Sequence, residues 1–209
     1  SLLDQIHRGQ RRILLGTQML AKGHHFPEVT LVGIVAADQG LFGSDFRAPE
    51  QMAQQIIQVA GRAGRADKPG KVALQTHHPE HPLLHTLLQH GYPAFAAATL
   101  EERRQAGLPP FGCQALVRAD SREADTALAF LERARELGQP WLPQGVELLG
   151  PVPAPMERRA GRWRAQLLVQ AGQRRELHGF LGRWAGELEG LPGVRKVRWS
   201  LDVDPMEML

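Results

Sequence analysis

The first eighty residues alternate short apolar runs with a helical pattern. Apolar runs of strand length occupy residues 12–16 (RILLG), 30–37 (TLVGIVAA) and 71–76 (KVALQT). Residues 49–60 begin with proline, carry Glu50 in the first turn and stop before Gly61, which are helix-boundary signals. Strands alternating with helices are typical of a parallel α/β sheet whose loops meet at one edge. We therefore predict an α/β fold with three strands here, the first of them buried.

Residues 81–107 carry leucines at helical spacing, interrupted at Gly91 and Pro93. The segment 108–112 (LPPFG) is a rigid stop and the best candidate for a domain boundary. These patterns predict three parts: a first domain over residues 1–80, a helical linker over 81–112 and a second domain over 113–209.

The second domain has the pattern of a small α+β unit. Strands are predicted at residues 114–119, 146–149, 163–170 and 194–203, and helices at 121–137 and 174–188. Ser121 is the expected N-cap of the first of these helices. The order β-α-β-β-α-β predicts an open split-βαβ sandwich with both helices on one face.

Composition narrows the class of protein. The chain is 43% hydrophobic and 22% charged, which excludes disorder, and no stretch reaches the 18 apolar residues that a membrane span needs. The first residues lack the apolar core and cleavage site of a signal peptide. A single cysteine, Cys113, excludes an internal disulfide and fits a reducing compartment.

Positive charge is concentrated in one segment. Residues 156–200 contain ten basic and four acidic residues, a net charge of +6, whereas the whole chain carries +3. This excess fits a phosphate-binding face, although a solvated surface is the alternative. The candidate DNA-binding residues are Arg158, Arg159, Arg162 and Arg164, in a predicted glycine-containing loop between two strands. Arg174 and Arg175 open a helix and are candidates for binding an acidic peptide.

The segment 58–65 (QVAGRAGR) is the strongest chemical signal. Its glycines let a phosphate approach, and Arg62 and Arg65 lie three residues apart, on one face if the helical winding continues. Two such arginines suit a transferring γ-phosphoryl group, whose charge spreads over its oxygens in the transition state. The alternative is a surface turn with solvated arginines.

A second polar segment, residues 16–27 (GTQMLAKGHHFP), follows the first apolar run. Its threonine, loop amides and lysine suit nucleic-acid phosphates. Histidines at 24–25 and in 77–81 (HHPEH) are not interpreted as metal ligands, so no metal site is predicted. The four tryptophans are candidates for base stacking, but core positions are the favoured interpretation.

Together the two polar segments resemble motifs V and VI of superfamily 2 helicases. The succession GTQMLAKGHHFP, DFRAPEQ, QVAGRAGR, LQTHHPEHPLL, LGPVPAP and KVRWSLDVDP resembles, over essentially the whole chain, the replication-restart helicases of the PriA family. The resemblance implies two RecA-like lobes with ATP between them. It identifies this chain as a partial lobe two followed by the family's S10-like C-terminal domain.

The resemblance also implies roles for individual residues. Motif VI would comprise Gln58, Gly61, Arg62 and Arg65, with Arg65 as arginine finger and Arg62 as a second phosphate sensor. Motif V would comprise Thr17, Gln18, Lys22 and Gly23, contacting the DNA backbone and coupling that contact to the nucleotide. Asp38 would support contacts between the lobes.

By this resemblance the whole protein is an ATP-dependent 3′–5′ DNA helicase of the bacterial cytoplasm and nucleoid that restarts stalled forks by primosome assembly. Its expected partners are branched and single-stranded DNA, single-strand DNA-binding protein and other primosome proteins, with no membrane. This chain has no G-x-x-x-x-G-K-[ST] motif, so ATP and Mg²⁺ would need lobe one, and the family's Zn²⁺ lies in an upstream module. We expect the fragment to bind DNA without hydrolysing ATP. A non-catalytic fork- or partner-binding module and an RNA translocase are the alternatives.

Overall fold

The computed structural model describes residues 13–16, 29–43, 45–61, 64–65 and 68–208. The chain divides into two compact units, Ser1–Thr99 and Leu100–Leu209. The elements, in chain order, are β1 (Leu31–Ile34), α1 (Asp38–Leu41), α2 (Ala48–Ala60), β2 (Gly64–Arg65), β3 (Lys68–Pro69), β4 (Lys71–Leu74), α3 (Pro82–Gln105), β5 (Cys113–Ser121), α4 (Thr126–Gly138), β6 (Val146–Arg159), β7 (Arg162–Ala171), α5 (Arg174–Leu188) and β8 (Arg198–Val203).

The first unit contains a parallel strand pair. β1 pairs with β4 in parallel, from Leu31 opposite Lys71 to Ile34 opposite Leu74, which confirms the predicted parallel arrangement. The predicted buried strand at 12–16 is wrong where the structure describes it, because residues 13–16 form no strand and Ile13 is 82% exposed. An apolar run is buried only where a neighbouring strand and a covering layer meet it. Residues 13–16 pair with no strand in the described part of the chain.

The core of the first unit lies between α2 and the start of α3. α2 begins with Pro49 in its first turn, and it buries Met52, Ala53 and Ile56, which recur on one helical face. They pack in one cluster with apolar residues of α3 that include Leu84. α3 changes direction at Gly91, whose φ of 78° is one that glycine adopts readily. The predicted interruption of this helix is therefore confirmed.

The second unit is built on a four-stranded sheet. The strand order is β6-β7-β5-β8 and every neighbouring pair is antiparallel. With α4 and α5 in their places along the chain, the predicted β-α-β-β-α-β order is confirmed. Burial alternates along β7, as expected for a sheet that is covered on one face. Ala165, Leu167 and Val169 are buried, and the residues between them are half-buried.

Both helices of the second unit pack on one face of this sheet. Phe130 and Leu131 of α4 and Leu177 and Trp184 of α5 lie in one cluster with the buried side of β5 and β7. Trp184 is fully buried, and its indole N–H donates to the Ala134 carbonyl at 2.8 Å. The predicted one-sided sandwich is therefore confirmed. None of the helices in the described part of the chain is both long and apolar enough to cross a membrane.

Three predicted boundaries in this unit are wrong, and the first is the end of β6, which runs to Arg159 instead of residue 149. Ser121 is not the N-cap of α4, which begins at Thr126 after Asp125. Ser121 still pairs with Trp163 in the β-ladder, and its hydroxyl donates to the Lys196 carbonyl at 3.1 Å. The last predicted strand begins late, because residues 194–196 form a 3₁₀ turn before β8.

Candidate functional site

The predicted DNA-binding arginines lie on a β-hairpin. Arg158 and Arg159 end β6, and Arg162 and Arg164 begin β7. Only Ala160 and Gly161 form the turn, with φ values of 49° and 75° that suit a tight two-residue hairpin. The predicted loop between the two strands is therefore wrong, because these arginines are held in a ladder in which Arg159 faces Arg162.

The four arginines have different surroundings. The Arg162 guanidinium contacts the Asp120 carboxylate through Nε and the Asp120 carbonyl through Nη2, at 3.1 Å for the latter. The Arg158 guanidinium lies 5.3 Å from the centre of the Trp163 ring, a cation–π contact. Arg164 donates to the Met156 carbonyl at 3.4 Å. Arg162 is thus engaged within the protein, whereas Arg158 and Arg159 are exposed at the hairpin end.

A shallow cavity of about 290 Å³ lies beside this hairpin, on the sheet face opposite the helices. We call it the polar concavity, and define it by Arg118, Asp120, Arg164, Gln166, Arg198 and Ser200. The strands that carry these residues are β5, β7 and β8. β6 bends at its margin, because residues 154–157 stand opposite the single residue Arg164.

The tryptophans take packing positions. Trp184 is in the core, Trp199 packs near Phe130 with ring centres 6.4 Å apart, and the Arg183 guanidinium lies 4.0 Å from the Trp141 ring centre. Trp163 is half-buried beneath Arg158. The favoured interpretation as core or half-core residues is confirmed.

The two arginines predicted to bind an acidic partner differ in the structure. Arg174 donates to the Asp204 carboxylate at 2.6 Å, and this hydrogen bond raises the pKa of Arg174 above its ordinary value. Arg175 is exposed and makes no ion pair with any residue that the structure describes. An acidic ligand would therefore meet Arg175 first and would have to replace Asp204 at Arg174.

Asp38 joins the ends of the two parallel strands of the first unit. Its carboxylate accepts hydrogen bonds from the Thr76 hydroxyl and from the His77 N–H, at 3.0 Å to Oδ2 for the latter. The hydrogen bond from Thr76 is the main cause of a pKa for Asp38 below its usual range, and the His77 N–H adds to it. The carboxylate is thus held ionised at the carboxyl edge of the sheet, where α/β proteins bind ligands.

The motif VI segment changes structure midway. Gln58 is exposed in the last turn of α2, and Gly61 follows with its N–H bonded to the Ile57 carbonyl at 2.9 Å. Arg65 lies in β2, which pairs with β3 so that Arg65 is opposite Lys68. Helical winding therefore does not continue to Arg65, so the condition under which Arg62 and Arg65 would share a helical face is not met. Arg62 itself lies outside the described residues.

The motif V candidates Thr17, Gln18, Lys22 and Gly23 also lie outside the described residues, as do His24 and His25.

In residues 77–81 the imidazoles of His78 and His81 contact the Phe42 ring edge-on. No group of three potential metal ligands occurs among the residues that the structure describes.

Five of the six residues that define the polar concavity were missing from the sequence-based candidates, which included only Arg164; Asp120 and Arg198 are the most important of the five. Asp120 is the partner of Arg162, and Arg198 is exposed opposite Asp120 on β8. The available signal was strand alternation: buried Ala119 and half-buried Trp199 face the core, so their neighbours Asp120 and Arg198 must share the other face.

Two family models match the chain. The helicase conserved C-terminal domain matches residues 1–67, and the primosomal protein N C-terminal domain matches residues 104–206.

Curated relatives match over nearly the whole chain. The replication restart protein PriA of Haemophilus influenzae is 52% identical over 207 residues, which are 99% of this chain and 28% of that protein. PriA of Synechocystis is 42% identical over 81% of this chain and 20% of its own length. PriA of Bacillus subtilis is 35% identical over 100% of this chain and 26% of its own length. The chain thus spans less than a third of the length of these relatives.

Proposed function

The chain belongs to the PriA family of replication restart proteins and corresponds to their C-terminal part, and from that premise we propose that it binds branched DNA within an ATP-dependent 3′–5′ helicase that reloads the replication machinery at stalled forks. The observation that carries DNA binding is the +6 net charge of residues 156–200, with Arg158 and Arg159 exposed at the end of the β6–β7 hairpin. Arginine forks match phosphate oxygens, and such contacts make binding fall steeply with salt.

The proposed assignment as an S10-like domain is supported by the antiparallel order β6-β7-β5-β8 with two helices on one face. The sheet face opposite the helices is open to solvent at the polar concavity, where Arg164 is half-buried and Arg198 is exposed.

The test of DNA binding is fluorescence anisotropy of the 209-residue chain with a labelled three-way fork and with plain duplex, across a salt series. We expect salt-sensitive binding that favours the fork and weakens when Arg158 and Arg159 are changed to alanine. Arg133→Ala with Arg135→Ala is a matched control, because it removes two exposed arginines from α4 rather than from the hairpin. Equal binding by the hairpin variant and the control would contradict the assignment to this hairpin.

ATP hydrolysis is proposed for the whole protein only, with ATP and Mg²⁺ bound largely by lobe one. The proposal assigns Arg65 as arginine finger, Arg62 as phosphate sensor, and Gln58, Gly61, Gly23 and Asp38 as coupling residues. It is supported by the position of Gln58, exposed at the end of α2 directly before the hairpin that carries Arg65. When bound, ATP supplies the γ-phosphoryl group, and the residues of this chain stabilise its charge.

The corresponding experiment compares ATPase rates of the whole protein with Arg65→Ala and Arg65→Lys, because an arginine finger contributes about 10³–10⁵-fold to kcat. Loss of turnover in both variants with unchanged DNA binding is expected. A rate unaffected by Arg65→Ala would favour the alternative, a non-catalytic module of a relative that has lost its ATPase activity.

The remaining proposals concern location and partners. We propose a bacterial cytoplasmic, nucleoid-associated protein that meets single-strand DNA-binding protein, single-stranded DNA and other primosome proteins, with Thr17, Gln18 and Lys22 on the DNA backbone and a zinc module upstream. Arg175, with Arg174 beside it, is the proposed contact for an acidic peptide segment, supported by the exposure of Arg175.

A further inference from the structure

In the polar concavity, an acidic residue lies between two arginines, one on each side. Arg164 of β7 and Arg198 of β8 both stand opposite Asp120 of the central strand β5. Strands lie about 4.8 Å apart, so the Cα atoms of Arg164 and Arg198 are about 10 Å apart across β5. Residues paired across antiparallel strands point to the same side, so all three side chains project from the face opposite the helices.

The acidic residue between them does not neutralise this pair. The Asp120 carboxylate accepts from Arg162, which approaches from the hairpin end of the cavity. Arg198 is exposed and makes no ion pair with any described residue, and Arg164 is bonded only to the Met156 carbonyl, at 3.4 Å, among the hydrogen bonds of the described residues. Arg118, the third arginine of the cavity, is paired with Asp202 at 2.9 Å.

The neighbouring row of the sheet supplies uncharged hydrogen-bond donors. Gln166 and Ser200 stand opposite Arg118 on its two neighbouring strands. They lie two residues from Arg164 and Arg198, respectively, on the same face of the sheet. The side chain of Trp199 faces the core near Phe130. The arginine, amide and hydroxyl groups that line the cavity match phosphate oxygens.

We infer that Arg164 and Arg198 form a clamp for the phosphodiester backbone of DNA, with Gln166 and Ser200 as additional donors. The inference deepens the proposed function, on which it rests, by adding Arg198 to the binding residues and by moving the main contact from the end of the β6–β7 hairpin to the sheet face. An acidic peptide is the less favoured ligand, because the cavity adjoins the basic β6–β7 hairpin, although Ala119, Ala154, Ala165 and Trp199 also line it.

The test measures anisotropy of labelled duplex and fork DNA across a salt series for wild type, Arg164→Gln, Arg198→Gln and the double variant. Arg135→Gln is the control, since it removes the same charge from the helical side. Each lost phosphate contact lowers the salt slope by about 1, so the double variant should lose a slope of about 2 and bind about tenfold more weakly, independently of DNA sequence.

A charge-preserving variant separates clamp geometry from charge. Arg164→Lys with Arg198→Lys should keep most of the salt slope but bind more weakly than wild type, because lysine cannot make the forked contact. Circular dichroism of every variant checks the fold.

The outcomes are distinguishable. Wild type that binds DNA while the double Gln variant matches Arg135→Gln overturns the clamp and leaves the proposed function standing. Absence of DNA binding by wild type overturns both. If the double Gln variant loses binding to a poly-aspartate peptide but keeps its affinity for DNA, the cavity is a peptide site and the clamp is wrong.

Discussion

The two units bury their strands to different extents. In the first unit β1 leaves Leu31 63% exposed and is followed by Val35, which is 74% exposed. In the second unit Leu116 and Val117 of β5 are both fully buried, although they point to opposite faces of the sheet. β5 has a strand on each side and helices on one face, whereas β1 pairs with β4 alone among the described strands.

This difference shows that burial depends on the neighbours of a strand more than on its apolar content. The segment 30–37 is more apolar than residues 113–121, with six of eight residues apolar against five of nine, but only the latter is enclosed. We therefore expect the second unit to carry most of the stability of the chain, because free energy from the hydrophobic effect follows the apolar area removed from water.

The largest predicted effect is that of Trp184→Ala in the second unit. Trp184 is fully buried, stacks on Phe180 with ring centres 5.2 Å apart, and donates to the Ala134 carbonyl. Truncation should lower the free energy of unfolding by about 3–5 kcal/mol through cavity formation and the lost hydrogen bond. Urea denaturation followed by circular dichroism measures it.

Leu31→Ala in the first unit provides the contrast, because a side chain that is 63% exposed should change the same free energy by no more than about 0.5 kcal/mol. Comparable costs for the two substitutions would refute the difference between the units.

A smaller effect is predicted where two elements of the second unit approach closely. A Cβ on Gly138, at the end of α4, would lie 2.8 Å from Trp184 Nε1 and 3.1 Å from Phe180 Cζ. Gly138→Ala should therefore cost about 1–3 kcal/mol of unfolding free energy by overpacking.

The matched substitution is Gly182→Ala in the middle of α5. Nothing lies within 4 Å of its Cβ position, and a helical alanine should stabilise by about 0.5–1 kcal/mol. Thermal unfolding of both variants measures the two changes in stability, which should have opposite signs. Shifts of the same sign would contradict the packing described for Gly138.

Periodicity predicted most of the second unit because its strands and helices obey simple rules. Helix 174–188 was predicted at its observed bounds, since Leu177, Leu181 and Leu188 recur on one face and the helix-terminating residues Gly190 and Pro192 follow. β6 proved far longer than the predicted 146–149, because prolines and a bulge hide its alternation.

The candidate site was less accessible to sequence reasoning. The arginine-rich segment around residues 158–164 was found from charge alone. Which of its arginines bonds within the protein depends on Asp120, which lies 42 residues from Arg162 along the chain. No local pattern encodes that pairing. In the first unit, α2 ends at Ala60 and Arg65 lies in β2, so the helical winding that the arrangement of Arg62 and Arg65 assumed does not reach Arg65.

A still smaller effect concerns Asp38 of the first unit. Its folded-state pKa lies below the ordinary value of 3.8, so its contribution to stability is complete above that value and is lost as the pH falls through the lower folded pKa. Asp38→Asn should weaken the link between the ends of β1 and β4 and remove this acid-dependent step. Hydrogen exchange of the His77 amide at neutral and acidic pH is the measurement.

Asp120→Asn in the second unit is the control for Asp38→Asn, because Asp120 is also a half-buried carboxylate but does not contact His77. Unchanged protection of the His77 amide in Asp38→Asn would show that the carboxylate does not join the strands.

The smallest predicted effect separates the two arginines at the start of α5. Asp204→Asn removes the partner of Arg174 and should leave both Arg174 and Arg175 available, so that a tri-aspartate peptide binds up to about fivefold more tightly. Asp202→Asn is the matched control, because it removes the same charge from the same segment but releases Arg118 instead. Isothermal titration calorimetry at low salt compares the two. Equal gains would mean that the peptide responds to net charge alone, whereas a gain confined to Asp204→Asn would establish that the Asp204 carboxylate competes for the proposed partner contact.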